Sequence, residues 1–338
     1  MLHTILVPLD GSTVAEQALP VAVRLAKQTN VKVLLLRAVP FASTDYEIAA
    51  PLHVKEKEAA TYLQSIQERL IGDGLFVSTS VLRSDPVRAI LFTAQTHHSD
   101  LIVLATHGRS GLGRLLLGSV ADQVLQQTTG PVLLVRATEE PDLDDTRPFT
   151  KMLIPLDGST FAEEAVTYAL GLTLHTQPTY VLLQALSPAR SIVAPGMTPY
   201  TAELHMEQVK MVGENDHVQA QEYLNGIVSA YFIGRDVSTR VLSEHAAKAI
   251  VTVAATEPMD LIVMTSHGRT GLDRLRHGSV AAHVVHHATT PVLVLHNSNA
   301  EQSRATPLAT ADPVPSRRAV NTVGAHSDLL SLRGDGED

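Results

Sequence analysis

Short, continuously apolar runs alternate with longer stretches in which every third or fourth position is apolar, and the pattern persists to Asn297. Runs such as "VKVLLL" and "DLIVLA" are apolar on consecutive positions, as expected of strands buried on both faces. They predict strands near 3–9, 31–38, 75–83, 100–106 and 131–136, with helical patterns near 13–28, 53–71, 86–97 and 119–128 between them. A second series of strands is predicted near 151–156, 179–186, 236–242, 260–266 and 291–296. Strict alternation of strand and helix means βαβ units, a parallel sheet and helices on both faces.

The second series repeats the first. "ILVPLDGSTVAEQAL" from Ile5 returns as "MLIPLDGSTFAEEAV" from Met152. "SDLIVLATHGRSGLGRLLLGSV" from Ser99 returns as "MDLIVMTSHGRTGLDRLRHGSV" from Met259, and "GPVLLV" from Gly130 as "TPVLVL" from Thr290. The predicted fold class is α/β: two tandem doubly wound parallel-sheet domains, flavodoxin- or Rossmann-like, with five strands each. The domains are expected over 1–138 and 150–297. The join "ATEEPDLDDTRPFT", acidic and proline-bearing, predicts an exposed linker over 139–149. Residues 298–338, rich in Ser, Thr, Pro, Ala and charge, predict a disordered tail.

With 338 residues, the chain can bury a core in each of two domains. A net charge of −9 argues against a nucleic-acid partner, which needs clustered Lys and Arg. No apolar run approaches the ~20 residues that span a bilayer, so no membrane role is expected. The opening "MLHTILVPLDGS" predicts a first strand rather than a signal peptide. The absence of cysteine excludes disulfides, thiolate zinc sites and thiol catalysis. Cytoplasm is the default location.

Candidate chemistry gathers where an open parallel sheet binds ligands, at the carboxyl ends of its strands where the chain order reverses. Asp10 and Asp157 end the first strand of each copy, two residues after Pro8 and Pro155. The loops His107–Ser119 and His267–Ser279 follow the fourth strands. Each loop closes on Gly-Ser-Val (Gly118, Ser119 and Val120; Gly278, Ser279 and Val280) at the predicted start of a helix. Exposed N–H groups and the positive dipole end there favour an anion, and glycine lets backbone approach closely. The serine hydroxyl can donate to a phosphate oxygen or cap the helix. Arg109, Arg114, Arg269 and Arg274 supply positive charge nearby. Asp10 repels phosphate and suits a base amine or ribose hydroxyls instead. Base or sugar at one end and phosphate at the other describes a nucleotide.

Blander readings stay beside these. The loop can also be a tight turn with a capped helix, a reading that its full spacing in two copies weighs against, while for Asp10 and Asp157 the Asp-Gly-Ser-Thr turn is an equal alternative. Thr13 and Thr160 are expected to cap the first helix, with Glu16 and Glu163 reaching back in a capping box. His107 and His267 suit backbone positioning or a ligand contact better than catalysis. His283, His286 and His287 have zinc-like helical spacing, but no local carboxylate completes a site and the first copy has "QVLQQ" there; a solvated helix face is expected and no metal. "THHSD" at His97 and His98 predicts a helix end.

The motifs resemble the universal stress protein family in its tandem form, over nearly all of residues 1–297. Its nucleotide-binding members carry Gly-x₂-Gly-x₉-Gly-[Ser/Thr], which falls on Gly108 with Gly118-Ser119 and on Gly268 with Gly278-Ser279. The resemblance makes Asp10 and Asp157 adenine or ribose contacts and places an apolar contact near Ala38 and Ala185. The motif's first glycine falls on Ala105 and, in the second copy, on Thr265, whose branched side chain is expected to crowd the site. Pro86 in the first copy's "SDPVRAI" has no proline counterpart in "EHAAKAI", and Arg276-His277 replace Leu116-Leu117. Two unequal sites are therefore expected.

ATP or a related adenine nucleotide is the implied ligand, held by a stress-response regulatory module rather than an enzyme. Neither a Walker lysine nor a recurring carboxylate beyond Asp10 and Asp157 lies near the loop, so only slow hydrolysis remains open. Magnesium can bridge bound phosphates without a dedicated protein ligand. A nucleotide-free scaffold of the same fold is the rival. The fifth strands, "PVLLV" from Pro131 and "PVLVL" from Pro291, are apolar edge strands expected to pair the copies into an internal pseudo-dimer. Family members also dimerise between chains, which leaves a homo-oligomer open. The dissimilar loops "VPFASTDYEIAAPLH" and "LSPARSIVAPGMTPY" are candidates for covering the base.

Overall fold

A computed structural model of the chain describes residues 2–40, 52–106, 117–140, 147–187, 199–266 and 278–296. The first half comprises β1 (Thr4–Pro8), α1 (Thr13–Glu16), α2 (Ala18–Thr29), β2 (Lys32–Val39), α3 (Leu52–Gly72), β3 (Val77–Arg83), α4 (Pro86–Thr96), β4 (Leu101–Thr106), α5 (Ser119–Gln127) and β5 (Val132–Arg136). The second half follows with β6 (Lys151–Pro155), α6 (Thr160–Leu172), β7 (Thr179–Ala185), α7 (Pro199–Tyr231), β8 (Val237–Leu242), α8 (Ala246–Thr256), β9 (Leu261–Thr265), α9 (Ser279–His287) and β10 (Val292–Leu295). The predicted strands and helices are all present. The expected tail lies outside the described residues, as do 141–146 of the linker.

All ten strands form one sheet in the order β3-β2-β1-β4-β5-β10-β9-β6-β7-β8. Neighbours are parallel except at the centre, where β5 and β10 run antiparallel. Leu133 faces Leu293, flanked by the pairs Val132–Val294 and Leu134–Val292. Leu133 and Leu293 hold the same place in "PVLLV" and "PVLVL", so a pseudo-twofold axis passes between equivalent residues. The expected internal pairing of the copies through their fifth strands is thus observed. In each half the order reverses between the first and fourth strands, β1 with β4 and β6 with β9.

Because strand side chains alternate between faces, each run of consecutive apolar residues feeds two cores. Ile5, Leu35, Val103, Leu133 and Ile154 pack on one face, with α2, α3, α6 and α7 above them. Leu6, Leu36, Ile102, Leu134 and Ile262 pack on the other, beneath α4, α5, α8 and α9. Both apolar layers run through the two halves without interruption.

The helix expected near 13–28 is two helices with Gln17 between them. Pro20 is the cause: it has no N–H for the Glu16 carbonyl, and its ring crowds that carbonyl. At the same place in the second half stands Thr167, and α6 runs unbroken. The capping expectation is also corrected. Ser12 and Ser159, not Thr13 and Thr160, are the N-caps, accepting from Ala15 N–H and Ala162 N–H at 3.1 Å each. Gly11 and Gly158 turn the chain with φ of +85° and +86°, which leaves the serine as the extended residue before the first helical turn. His97 caps the C-terminus of α4, as expected of "THHSD".

The halves are also joined through α2. Arg24, 7 % exposed, bonds Asp260 Oδ1 at 3.1 Å, donates to the carbonyls of Arg147 and Pro148, and lies 4.1 Å over the Phe149 ring. Gln28 donates to the Leu172 carbonyl and to Thr176 Oγ1, and accepts from Phe149 N–H. Within the first half, Gln17, just before α2, exchanges two hydrogen bonds with the backbone of Thr138.

Asp260 also accepts from Thr150 N–H and O–H and Lys151 N–H, as Asp100 accepts from His3 and Thr4 N–H. Burial alone would raise the Asp260 carboxyl, but the bonds from Thr150, Lys151 and Arg24 more than offset it and hold the carboxyl below its ordinary value. A folded-state value below the unfolded one stabilises the fold above about pH 3.9, and that contribution is lost as pH falls through the depressed value. The melting-temperature gap between the wild type and Asp260→Asn should therefore be constant near neutrality and close below about pH 4. A gap that widens in acid would contradict the assignment.

Candidate functional site

The switch point of each half opens into a cavity. The first, of about 180 Å³, is lined by Pro8, Asp10, Leu36, Ala38, Ala105, Gly118, Ser119 and Val120, with Pro86 and Ile90 from α4. The second, of about 310 Å³, is lined by Pro155, Asp157, Leu183, Ala185, Thr265, Gly278, Ser279 and Val280, with Ala246 and Ile250 from α8. The structure thus brings the candidates Pro8, Asp10, Ala38, Ala105, Gly118, Ser119 and Val120 to one wall system, and their counterparts to another. His107, Gly108, Arg109 and Arg114, with His267, Gly268, Arg269, Arg274, Arg276 and His277, lie outside the described residues. So do 41–51 and 188–198 of the two dissimilar loops; Leu52 and His53 open α3, and Pro199 and Tyr200 open α7.

Each cavity has a polar end at a helix start. Gly118 and Gly278 are the N-caps of α5 and α9, with φ,ψ of −55°,144° and −60°,142°. Glycine brings no side chain to the first-turn N–H groups, and neither helix has a side-chain cap. Ser119 and Ser279 are the first helical residues rather than caps, so of the two roles open to the serine hydroxyl the structure removes the capping one. Backbone donors and the positive end of the dipole face the cavity together.

The opposite wall is the turn after β1 or β6. Asp10 Oδ1 accepts from Ser12 N–H at 2.9 Å. Asp157 Oδ1 accepts from both the N–H and the hydroxyl of Ser159, at 3.0 and 2.6 Å. Between the ends the walls are apolar, formed in the first half by Val14, Ala15, Leu36, Ile90 and Leu104. Thr265 is 8 % exposed and does not close its cavity, which is the larger of the two.

Several participants escaped the sequence reading. Glu16 and Glu163, expected in capping boxes, instead accept from the hydroxyls of Tyr62 on α3 and Tyr223 on α7, at 2.8 and 3.3 Å. With the cap at Ser12, Glu16 stands one residue beyond the capping-box position. Burial first, then Glu16, pushes the Tyr62 hydroxyl above its ordinary value, so it stays a neutral donor. Ile90 and Ile250 were legible as the shared isoleucine of "VRAI" and "AKAI". The Tyr–Glu pairs, 46 and 60 residues apart in sequence, leave no local signal.

The histidines of α9 do not converge. His283 and His287 stack with ring centroids 3.9 Å apart, and His287 Nδ1 donates to the His283 carbonyl at 2.8 Å. Desolvation, then the neighbouring imidazoles of His287 and His286, lowers the His283 pKa. Among the described residues no group of three His, Cys, Asp or Glu could hold a metal ion, and no helix is long and apolar enough to cross a membrane.

Comparison with known proteins agrees with the repeat. The model of the universal stress protein family matches residues 1–136 and again 148–296. A universal stress protein of Mycolicibacterium smegmatis is 26% identical over 303 residues, covering 87% of this chain and 97% of that protein. Universal stress protein YxiE of Bacillus subtilis is 32% identical over 148 residues, 40% of this chain and 100% of its own length. A crystal structure of a universal stress protein from Archaeoglobus fulgidus superposes with a TM-score of 0.61 at 20% identity, over 87% of this chain and 98% of that one. With both halves matched and the fold shared along the whole length, the chain belongs to the universal stress protein family, in its tandem two-domain form.

Proposed function

We propose that the protein is a stress-response regulatory module that binds ATP or a related adenine nucleotide and catalyses no committed reaction. One observation carries it: in both halves a helix N-terminus capped only by glycine faces an aspartate across an apolar cavity. Phosphate oxygens suit the first-turn N–H groups and serine hydroxyl of α5 or α9. Asp10 or Asp157, which repels phosphate, suits a base amine or ribose hydroxyls. The apolar walls suit the flat face of a purine. Magnesium would take its ligands from the phosphates and water.

Among the described residues no lysine lines either cavity and each holds a single carboxylate, Asp10 or Asp157, already given to the base or ribose, so retention of the nucleotide is the chemistry this reading assigns. Heat release of small molecules from freshly purified protein should yield adenine nucleotide. Calorimetric titration with ATP should then saturate below millimolar concentration. A chain that releases none and ignores millimolar ATP would be a scaffold of this fold instead.

A further inference from the structure

The two cavities differ behind their aspartates. Arg37 lies on β2 between Leu36 and Ala38, which line the first cavity, so its side chain leaves from the opposite face of the strand. There the guanidinium sits 4.8 Å over the Tyr62 ring. It also lies against the turn that carries Asp10: a Cβ built on Gly11 would meet its two terminal nitrogens at 3.1 Å each. Tyr62 is itself anchored by its bond to Glu16. The Asp10–Gly11 turn is thereby backed by a planar cation, an aromatic ring and a carboxylate in series. Among the described residues, Asp10 Oδ1 takes a bond only from the amide of Ser12 within its own turn.

In the second half every member of this series but one is repeated. Gly158 has the same positive φ, and Tyr223 still reaches Glu163. Gln184 occupies the place of Arg37 on β7, between Leu183 and Ala185. It is 7 % exposed, and its Oε1 is buried with no hydrogen-bond partner among the described residues. Asp157 Oδ1 is engaged by the hydroxyl as well as the amide of Ser159. The second turn is held by its own aspartate; the first is held from behind.

We infer that Arg37 is a positioning residue for the first cavity, presetting the Asp10 turn for a base or ribose and making this the tighter of two unequal sites. This rests on the nucleotide reading above. A fixed turn lowers the ordering cost of binding, so the gain is shared by every ligand that uses Asp10, whatever its phosphate charge. Repair of charge alone would act differently, favouring ATP over adenosine and fading with salt.

The test is calorimetry of the full-length chain with ATP and with adenosine at two salt concentrations. Asp157→Ala combined with Ser279→Pro weakens both ligands at the second site and so reports on the first, and Asp10→Ala combined with Ser119→Pro reports on the second. Arg37→Gln should weaken both ligands at the first site alike, by about tenfold, without salt dependence. Arg37→Lys, which keeps the charge but loses the planar face, should not restore them. Tyr62→Leu, which removes the ring beneath the guanidinium, should give the same loss. Gln184→Arg should tighten the second site. Unchanged affinity in Arg37→Gln, or a loss confined to ATP that lysine restores, would overturn the inference. A wild type that binds neither ligand would overturn the functional reading, and this inference with it.

Discussion

Replacing Arg24 by alanine is expected to lower the stability of the folded chain by about 2–3 kcal/mol, somewhat below the cost of breaking a fully buried ion pair. The guanidinium is almost wholly enclosed and meets Asp260, the carbonyls of Arg147 and Pro148, and the face of Phe149. Alanine strips these contacts at once and leaves two carbonyls without that donor. Asp260 is only part-buried and keeps Thr150 and Lys151, which tempers the loss. For a protein of this size the melting temperature should fall by about 3–5 °C. A double-mutant cycle with Asp260→Asn should return a coupling of about 1 kcal/mol. Loss below about 0.5 kcal/mol would mean that Arg24 acts as surface charge and that the junction is held by the sheet alone.

The second large effect is on binding. Ser119→Pro should weaken ATP at the first site by about 10- to 100-fold, as the serine hydroxyl and one first-turn amide are both removed from an anion. The substitution is chosen so that the fold survives. Ser119 is the first residue of α5, where proline is favoured because that N–H has no partner within the helix. Gly118, at φ,ψ of −55°,144°, already has the extended geometry required before proline. The ligand-free melting temperature should stay within about 1 °C of the wild type, since no helical hydrogen bond is lost. Ser279→Pro should act likewise on the second site. If ATP binds Ser119→Pro as tightly as the wild type, the start of α5 is not the phosphate site.

Local pattern carried most of the fold. The strands announced themselves because residues buried on both faces read as unbroken apolar runs, and the second copy confirmed each by repetition. The meeting of β5 and β10 was legible for a related reason, since "PVLLV" and "PVLVL" are too apolar to be left as bare edges; its antiparallel sense comes from the structure. The caps were misplaced by one residue because serine and threonine both suit the position, and only the positive φ of the preceding glycine decides between them. The break at Gln17 was hidden by the tolerance of a first helical turn for proline, since Pro20 disrupts α1 while sitting comfortably near the start of α2. Contacts such as Arg24–Asp260, 236 residues apart, and Arg37–Tyr62 arise only once the chain is wound. The cavity walls from β1, β4, the start of α5 and, through the "VRAI" stretch, α4 left signals in the sequence, while the support behind Asp10 did not.

The register at the centre of the sheet has a consequence for how the two copies could diverge. Because Leu133 meets Leu293 on the pseudo-dyad, each half presents the surface that a second copy of itself would accept. A freestanding half could therefore assemble with its twin and would have to keep both of its surfaces matched to one gene. Tethering replaces that bimolecular step with an intramolecular one, at an effective concentration on the order of millimolar. The partnership then no longer depends on sameness. One half can keep Arg37 behind its aspartate while the other exchanges it for glutamine and grows a 33-residue α7 where its sibling has a 21-residue α3.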